Sequence, residues 1–222
     1  FLLKLFNLMP RTRIITISNA LKKYVLNTNF NYSKEVLVLP SCVDLEIYNK
    51  SPSKNLCREI LGFSDSKYYI LHTGSSYIGR GVEKFVELCN FSEKINFIHI
   101  GGDSSDLRRL ELLAKKENIS NCLFLPDTNQ EDVIKYQKAA DLLFYVLTEN
   151  WPTFWCCSPL KIPEYMASGT PILASKIGSI TEMLDEGTAF LFDTNTSLKK
   201  NLNKLILNSN LGIKKAQFAK DK

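Results

Sequence analysis

The stretch SPLKIPEYMASGTPILAS, residues 158–175, combines a short loop, a helix and a strand. A proline inside a helix costs about 3 kcal/mol, whereas at the first helical position it is well tolerated. We therefore predict that the helix begins at Pro163 and ends at Gly169, ahead of the strand. Residues 158–161 then lead into a helix N-terminus, where free N–H groups and the helix dipole favour an anion. Lys161 adds a positive charge, so the stretch predicts an anion site.

Strand-like and helix-like segments alternate on both sides of this stretch. The strand-like segments, such as YYILHTG at 68–74 and DLLFYVL at 141–147, are short apolar runs, which is typical of strands covered on both faces. This alternation predicts an α/β fold with a doubly wound, Rossmann-like parallel sheet. Ligands of such sheets bind at the carboxyl ends of the strands. Two loops are therefore candidates: TGSSYIGRG at 73–81 and NWPTFWCCSPLK at 150–161.

The length and composition suit one globular domain plus a part of another, with 222 residues of which 45% are hydrophobic and 23% charged. We interpret residues 1–40 as the C-terminal remnant of a preceding domain. We interpret residues 41–66, which start with a polar, turn-rich stretch, as the linker between the domains, and residues 67–222 as the Rossmann-like sheet domain. Because the chain does not start with methionine, we expect it to begin inside a larger protein.

The charge distribution and the cysteine pattern argue against some kinds of partner and favour a cytoplasmic location. The net charge is +5, but the lysines are scattered and not interleaved with aromatics, which argues against nucleic acid as a partner. The six cysteines form no C-x-x-C pair, which favours reduced thiols in a cytoplasmic protein. We interpret His72 and His99 as core or cleft residues rather than metal ligands. No run approaches the roughly 18 apolar residues of a membrane span, and no signal peptide is recognisable.

The loop at 73–81 carries the residue types that bind phosphate. Gly74, Gly79 and Gly81 allow close backbone approach of a ligand, and Arg80, placed at the start of the next helix, can bind phosphate oxygens. The loop is neither a P-loop nor a dinucleotide fingerprint, so a structural βα turn is an equally good interpretation of it alone. Because both loops open on one edge of a parallel sheet, we expect Arg80 and Lys161 to converge on a diphosphate.

Other side chains near the second loop allow two interpretations each. Glu164 either stabilises the helix, because its negative charge lies near the positive end of the helix dipole, or accepts hydrogen bonds from a ribose diol. Trp151, Phe154 and Trp155 are interpreted first as packing residues, with an aromatic platform for a sugar or acceptor as the alternative.

The whole signature S-P-L-K-[LI]-x-E-Y-[ML]-A-x-G-x-P-[IV]-[LV]-A-[ST] resembles the nucleotide-binding signature of GT-B glycosyltransferases of family 4, also called group 1. HTGSSYIGRGVEKFVEL at 72–88 is similar to the group's first βα unit, and SKIGSITEMLDEGTAFLFD at 175–193 is similar to the group's segment after the signature. The resemblance covers nearly the whole chain. It implies the C-terminal, donor-binding half of a GT-B architecture.

The resemblance also implies site residues. The diphosphate of a nucleotide sugar would be held by Gly74, Ser75, Arg80, Gly81, Ser158, Pro159, Leu160 and Lys161. Glu164 would bind the ribose, and the backbone at Asp127 and Thr128 would meet the base. Cys156 and Cys157 would lie in the loop near the donor sugar.

Three departures from the family pattern stand out. Relatives often carry a glutamate where this chain has Cys156, which puts a carboxylate contact to the sugar in doubt. They often carry a second basic residue at Ser75, and Asn-Gly in the linker where this chain has Ser41-Cys42.

The implied reaction transfers a sugar from a UDP- or GDP-sugar to a glycan or lipid-linked acceptor, as in cell-envelope polysaccharide biosynthesis. The resemblance implies a hexosyltransferase (EC 2.4) that acts with retention and without a cofactor. We expect no metal either, because the chain has no D-x-D pair. The catalytic group and acceptor site are expected in the preceding domain, so this chain alone should be nearly inactive. Peripheral contact of that domain with the inner face of a membrane is left open.

Three alternatives remain at this point. A nucleotide-sugar 2-epimerase has a similar fold and donor pocket. A non-catalytic module would bind the nucleotide sugar without turnover. A flavodoxin-like interaction domain would bind nothing at either loop.

Overall fold

The computed structural model describes residues 13–27, 35–92 and 94–222. Parts of the predicted first-domain remnant, residues 1–12 and 28–34, lie outside the described residues. The strands are β1 (Ile14–Thr16), β2 (Val36–Val38), β3 (Tyr68–Thr73), β4 (Ile95–Ile100), β5 (Cys122–Leu125), β6 (Leu142–Tyr145), β7 (Ile172–Ser175) and β8 (Phe190–Phe192). The helices are α1 (Asn19–Asn27), α2 (Leu45–Lys50), α3 (Lys54–Leu61), α4 (Glu83–Cys89), α5 (Ser104–Lys116), α6 (Gln130–Ala139), α7 (Lys161–Ser168), α8 (Ile180–Met183), α9 (Asn195–Leu207) and α10 (Ser209–Asp221).

The main body is a six-stranded sheet in the order β5-β4-β3-β6-β7-β8, with every neighbouring pair parallel. Side chains alternate across it, so Ile70 enters the hydrophobic cluster on one face while Leu71 enters the cluster on the other. Helices cover both faces, which confirms the predicted doubly wound α/β fold. A separate two-stranded parallel sheet, β1-β2, lies N-terminal to it.

The strand order determines where a ligand can bind. The chain runs outward from β3 through β4 to β5, then returns to place β6 on the other side of β3. The carboxyl ends of β3 and β6 are therefore the topological switch point, where the connections diverge and leave a crevice. The two loops singled out from the sequence follow these two strands.

The helix within residues 158–175 begins earlier than predicted. α7 starts at Lys161, so Pro163 is its third residue and not its first. The prediction was wrong because the proline needs only a place in the first turn, where N–H groups have no intrahelical partner and the missing donor costs little. The predicted C-terminal end is confirmed, since Gly169 adopts φ 70°.

The predicted linker, residues 41–66, contains two helices that the sequence interpretation missed. Asp44 caps α2 and Ser53 caps α3, each through a side-chain oxygen that accepts a backbone N–H. Both helices are short, and each is held by a buried anchor, Tyr48 in α2 and Cys57 in α3. These helices are stabilised mainly by tertiary packing, which cannot be recognised from their local sequence.

The C-terminal segment of the chain forms two consecutive helices, α9 and α10. α9 begins with a capping box between Thr194 and Ser197 and ends at Leu207. Asn208 then caps α10 by accepting from the N–H of Leu211, so one side chain marks the break.

Candidate functional site

A cleft of about 420 Å³ opens at the switch point, between the loops that follow β3 and β6. Seven of the eight residues predicted to hold a diphosphate line it: Gly74, Ser75, Arg80, Ser158, Pro159, Leu160 and Lys161. Gly81 does not line the cleft. A Cβ at Gly81 would stand 2.4 Å from Cγ2 of Thr148, so packing within the chain requires this glycine, and diphosphate binding by it stays a prediction.

Arg80 is held in the cleft wall by an aromatic side chain. It precedes α4 rather than starting it, since that helix begins only at Glu83. Its guanidinium carbon lies 4.2 Å from the ring centroid of Trp151, which is cation–π distance. Arg80 Nε is buried and has no hydrogen-bond partner within the described part of the chain. Trp151, predicted as a packing residue or sugar platform, thus supports the basic group of the other loop.

Lys161 and Glu164 are bonded to each other. Nζ of Lys161 lies 2.9 and 3.1 Å from the two carboxylate oxygens of Glu164, three positions along the same helix. The Nε2 amide of Gln137, on α6, donates to the same carboxylate at 3.1 Å. The predicted phosphate ligand and the predicted ribose ligand therefore neutralise one another at the N-terminus of α7.

Two buried histidines form a pair that sequence reasoning did not find. His72 and His99 occupy paired positions on β3 and β4, and their Nδ1 atoms are 2.8 Å apart. Nε2 of His99 donates to the carbonyl of Gly101 at 2.8 Å, so neutral His99 accepts at Nδ1 and His72 donates to it. The available signal was their equivalent place near two strand ends, HTG and HIGG.

The surroundings keep both imidazoles neutral. Burial lowers the pKa of His99 to about 4. The pKa of His72 lies well below its usual value. Burial is the largest cause, and the neighbouring groups of His99, Arg80 and Lys161 lower the pKa further. The positive charge of the cleft therefore comes from Arg80 and Lys161, while His72 contributes a neutral ring to the lining.

The cysteines of the second loop differ in their access to the cleft. Cys157 is half-buried and lines the cleft, whereas Cys156 is buried behind it. Burial raises the pKa of both thiols, which disfavours the thiolate. The carbonyl of Cys156 accepts a hydrogen bond at 2.8 Å from Ser18, so the β1–α1 segment sits directly on this loop.

The residues predicted to meet a base are not part of the cleft lining. Asp127 and Thr128 are exposed and follow β5, the edge strand two places from β3. They share the carboxyl edge of the sheet with the cleft, and base binding by them stays a prediction.

A second cavity of about 550 Å³ adjoins the cleft and shares Ile17, Cys157 and Ser158 with it. It lies between β2 and the linker on one side and α7, α8 and α10 on the other. Its lining includes Ile17, Val38, Val43, Met166 and Met183. This mainly apolar surface is less suited to a diphosphate than the cleft.

The described residues contain neither a metal-binding cluster nor a helix that could cross a membrane. Across residues 13–27, 35–92 and 94–222, no group of three or more His, Cys, Asp or Glu side chains is placed to hold a metal ion. None of the described helices has the length and apolar character needed to cross a membrane.

The fold and the cleft define a Rossmann-like domain with two basic side chains at its switch point. The chain belongs to the family of glycosyl transferases group 1, whose model matches residues 53–221. This result confirms the family resemblance predicted from the sequence.

Two curated relatives and two solved structures show what the chain resembles. It is 23% identical to a lipopolysaccharide 1,2-N-acetylglucosaminetransferase of Salmonella typhimurium over 163 residues, covering 68% of this chain and 41% of the relative. It is 29% identical to a D-inositol 3-phosphate glycosyltransferase of Corynebacterium jeikeium over 123 residues, covering 54% of this chain and 28% of the relative. The chain thus spans less than half the length of either relative.

The solved structures show the same fold at low sequence identity. Sucrose-phosphate synthase from Thermosynechococcus elongatus superimposes with a TM-score of 0.80 at 18% identity, covering 94% of this chain and 52% of that chain. Anabaena HepE in complex with UDP-glucose gives a TM-score of 0.79 at 20% identity, covering 99% of this chain and 61% of that chain.

Proposed function

We propose that this chain is the donor-binding half of a retaining, metal-independent hexosyltransferase that uses a nucleoside-diphosphate sugar. The observation that carries the proposal is the placement of Arg80 and Lys161 in the lining of one cleft at the switch point. Family membership and the UDP-glucose complex of HepE support a nucleotide-sugar donor.

The proposed task of the cleft is to stabilise the leaving diphosphate. As the bond between the anomeric carbon and the diphosphate oxygen breaks, negative charge grows on the nucleotide product. Arg80, Lys161 and the free N–H groups at the start of α7 are positioned before the reaction to meet that charge. In this proposal they do the work that a metal ion does in other transferases.

Donor binding would exchange the partner of Lys161. A phosphate oxygen would take Nζ of Lys161 from Glu164, and the released carboxylate would accept hydrogen bonds from the ribose hydroxyls. We further propose that Cys157 lies near the donor sugar and that the backbone at Asp127 and Thr128 meets the base.

The proposed domain division explains why the chain alone should transfer little sugar. We propose that residues 1–40 end an acceptor domain, residues 41–66 link the domains, and residues 67–222 bind the donor. Transfer requires the donor and acceptor to be aligned in one closed cleft, and losing that alignment can forfeit about 7–11 kcal/mol of barrier lowering. The name of the Salmonella relative supports a glycan or lipid-linked acceptor in cell-envelope polysaccharide synthesis.

The test is a titration of UDP, GDP, ADP and the matching nucleosides by calorimetry. Lys161→Ala and Arg80→Ala should each weaken diphosphate binding about tenfold to a hundredfold and leave nucleoside binding nearly unchanged, because a charge-assisted contact is worth roughly 1.5–3 kcal/mol. Lys199→Ala, on the exposed surface of α9, is the matched control and should change neither.

Incubation with labelled UDP- and GDP-sugars and candidate acceptors tests the rest of the proposal. We expect donor binding with little transfer by this chain, and acceptor-dependent transfer when the preceding domain is supplied. Binding of no nucleotide would refute the donor site. A free sugar isomer as product would instead indicate the 2-epimerase.

A further inference from the structure

A chain of hydrogen bonds connects the linker helix α2 to the carboxylate of Glu164. The hydroxyl of Tyr48, on α2, lies 2.9 Å from Oε1 of Gln137, and Nε2 of Gln137 lies 3.1 Å from Oε2 of Glu164. Tyr48 is 1% exposed and Gln137 is 0% exposed. Three elements that are far apart in the sequence, α2, α6 and α7, thus meet at one carboxylate.

The chemistry of the groups fixes the direction of each hydrogen bond. An ionised carboxylate only accepts, so the amide of Gln137 must turn its NH₂ group toward Glu164. Its Oε1 then faces Tyr48, whose hydroxyl must donate. Burial, followed by the charge of Glu164, raises the pKa of Tyr48, so the hydroxyl keeps its proton. An unpaired Oε1 here would be a buried acceptor without a donor, which folded proteins avoid.

The main chain of this region is fixed as well. Nζ of Lys138 donates to the carbonyl oxygens of Tyr48, Ser51 and Pro52 at 2.8–3.1 Å, which holds the end of α2 against α6. Oγ1 of Thr170 donates to the carbonyl of Gln137 at 2.8 Å. Neither Tyr48 nor Gln137 has space to follow a moving ligand.

The two partners of Glu164 differ in what they can do when an anion arrives. Lys161 is partly exposed and lines the cleft, so its ammonium group can turn to a phosphate. Gln137 is enclosed and uncharged, so it stays on the carboxylate. After the exchange, Gln137 is the contact that keeps Oε2 of Glu164 in place and leaves the remaining lone pairs for a ribose.

We propose that Gln137 and Tyr48 are positioning residues that set the specificity of the donor site for ribonucleotides. Tyr48 fixes the orientation of the Gln137 amide, and the amide fixes the rotamer of Glu164 that accepts from the ribose hydroxyls. This inference rests on the proposed function of the cleft. If it is correct, the linker segment, residues 41–66, contributes to the ribose subsite through Tyr48.

The experiment compares the affinities of this 222-residue chain for UDP and 2′-deoxy-UDP, with GDP and ADP and their 2′-deoxy forms in parallel. The readout is the ratio of the affinity for the ribonucleotide to the affinity for the deoxynucleotide. A general loosening of the fold would weaken the binding of both nucleotides alike and leave this ratio unchanged. Tyr48→Phe removes one hydroxyl without changing the ring. Tyr69→Phe is the matched control, since that buried hydroxyl accepts from the backbone of Ser64 and does not contact Glu164.

We expect the parent chain to prefer the ribonucleotide about tenfold or more and Glu164→Ala to abolish the preference. Tyr48→Phe should lower the ratio about threefold to tenfold, Gln137→Leu should lower it at least as far, and the double variant should add little. Tyr69→Phe should keep the parent ratio. Thermal unfolding of each variant identifies any variant that fails to fold. If Gln137→Leu fails to fold, Tyr48→Phe remains the decisive variant.

Two outcomes would overturn the inference in distinguishable ways. If the parent chain binds nucleotides with a ribo preference that Tyr48→Phe leaves intact, the positioning role is wrong and the donor site stands. If no ribo or deoxy nucleotide binds to the parent chain at all, the proposed function fails and the inference fails with it.

Discussion

The two loops that form the cleft hold their basic residues by different means. In the loop after β3, Arg80 stacks on Trp151, a residue contributed by the other loop. In the second loop, Lys161 is held by Glu164, three positions further along the same helix. One basic group depends on a contact between distant parts of the chain, and the other depends on local helix geometry.

This difference explains which contacts can be predicted from a sequence. Residues three apart on a helix lie on one face, so the neighbourhood of Lys161 and Glu164 follows from spacing alone once the helix is recognised. The neighbour of Arg80 follows only from the strand order, which brings β3 and β6 side by side. The loop after β3 should accordingly be the more sensitive of the two to changes elsewhere in the molecule.

The largest expected effect comes from the backbone of the loop after β3. Gly81→Ala should lower the free energy of unfolding by about 4 kcal/mol, because φ is 92° and the new Cβ would meet Cγ2 of Thr148 at 2.4 Å. Gly62→Ala is the matched control, with φ 67° and no atom within 4 Å, and should cost about 1 kcal/mol. Urea unfolding measures both. Equal losses in the two variants would show that Thr148 yields to the methyl group.

A somewhat smaller effect should come from the histidine pair beneath this loop. Both pKa values are lowered in the folded protein, so the unfolded chain binds more protons as the pH falls below about 6.5. Stability is therefore retained above pH 6.5 and lost as the pH falls toward 4. Between pH 7.5 and 5.5 each histidine should contribute about 1.4 kcal/mol to the loss, roughly 3 kcal/mol for the pair.

Urea unfolding at pH 7.5, 6.5 and 5.5 checks this expectation. His72 and His99 are the only two histidines of the chain, and histidine is the one side chain whose ordinary pKa lies in this range. His99→Gln should reduce the dependence by about half. A free energy of unfolding that stays constant over this range would contradict the neutral, buried pair.

The smallest expected effect concerns the contact between the two loops. Trp151→Leu should weaken diphosphate binding about threefold to tenfold, because a cation–π contact of roughly 0.5–2 kcal/mol no longer orients Arg80. The same change should have no further effect in an Arg80→Ala background. Trp155→Leu is the matched control, since that ring lies in the same loop as Trp151 but packs on Tyr24. A similar loss in both tryptophan variants would point to the shape of the loop rather than to Arg80.

The amino-acid sequence was sufficient to predict the fold class and the two loops that line the cleft. Short apolar runs alternating with helical segments require a covered parallel sheet, and the sheet places its loops at one edge. The segment from Ser158 to Glu164 was recognisable because its loop and its charges are local, although the helix starts at Lys161 and not at the predicted Pro163. The family resemblance rested on this segment together with residues 72–88 and 175–193.

The environment of those residues emerged only from the folded chain. Three features depend on contacts between segments that are distant in the sequence. They are the packing of the linker helices, the pair of His72 and His99, and the hydrogen bond from Gln137 to Glu164. Whether such segments meet depends on strand order, register and the packing of buried side chains, and no local pattern encodes these. For the same reason the sequence could propose a ribose ligand at Glu164, but only the fold revealed the hydrogen bonds that join Tyr48 to Gln137 and Gln137 to Glu164.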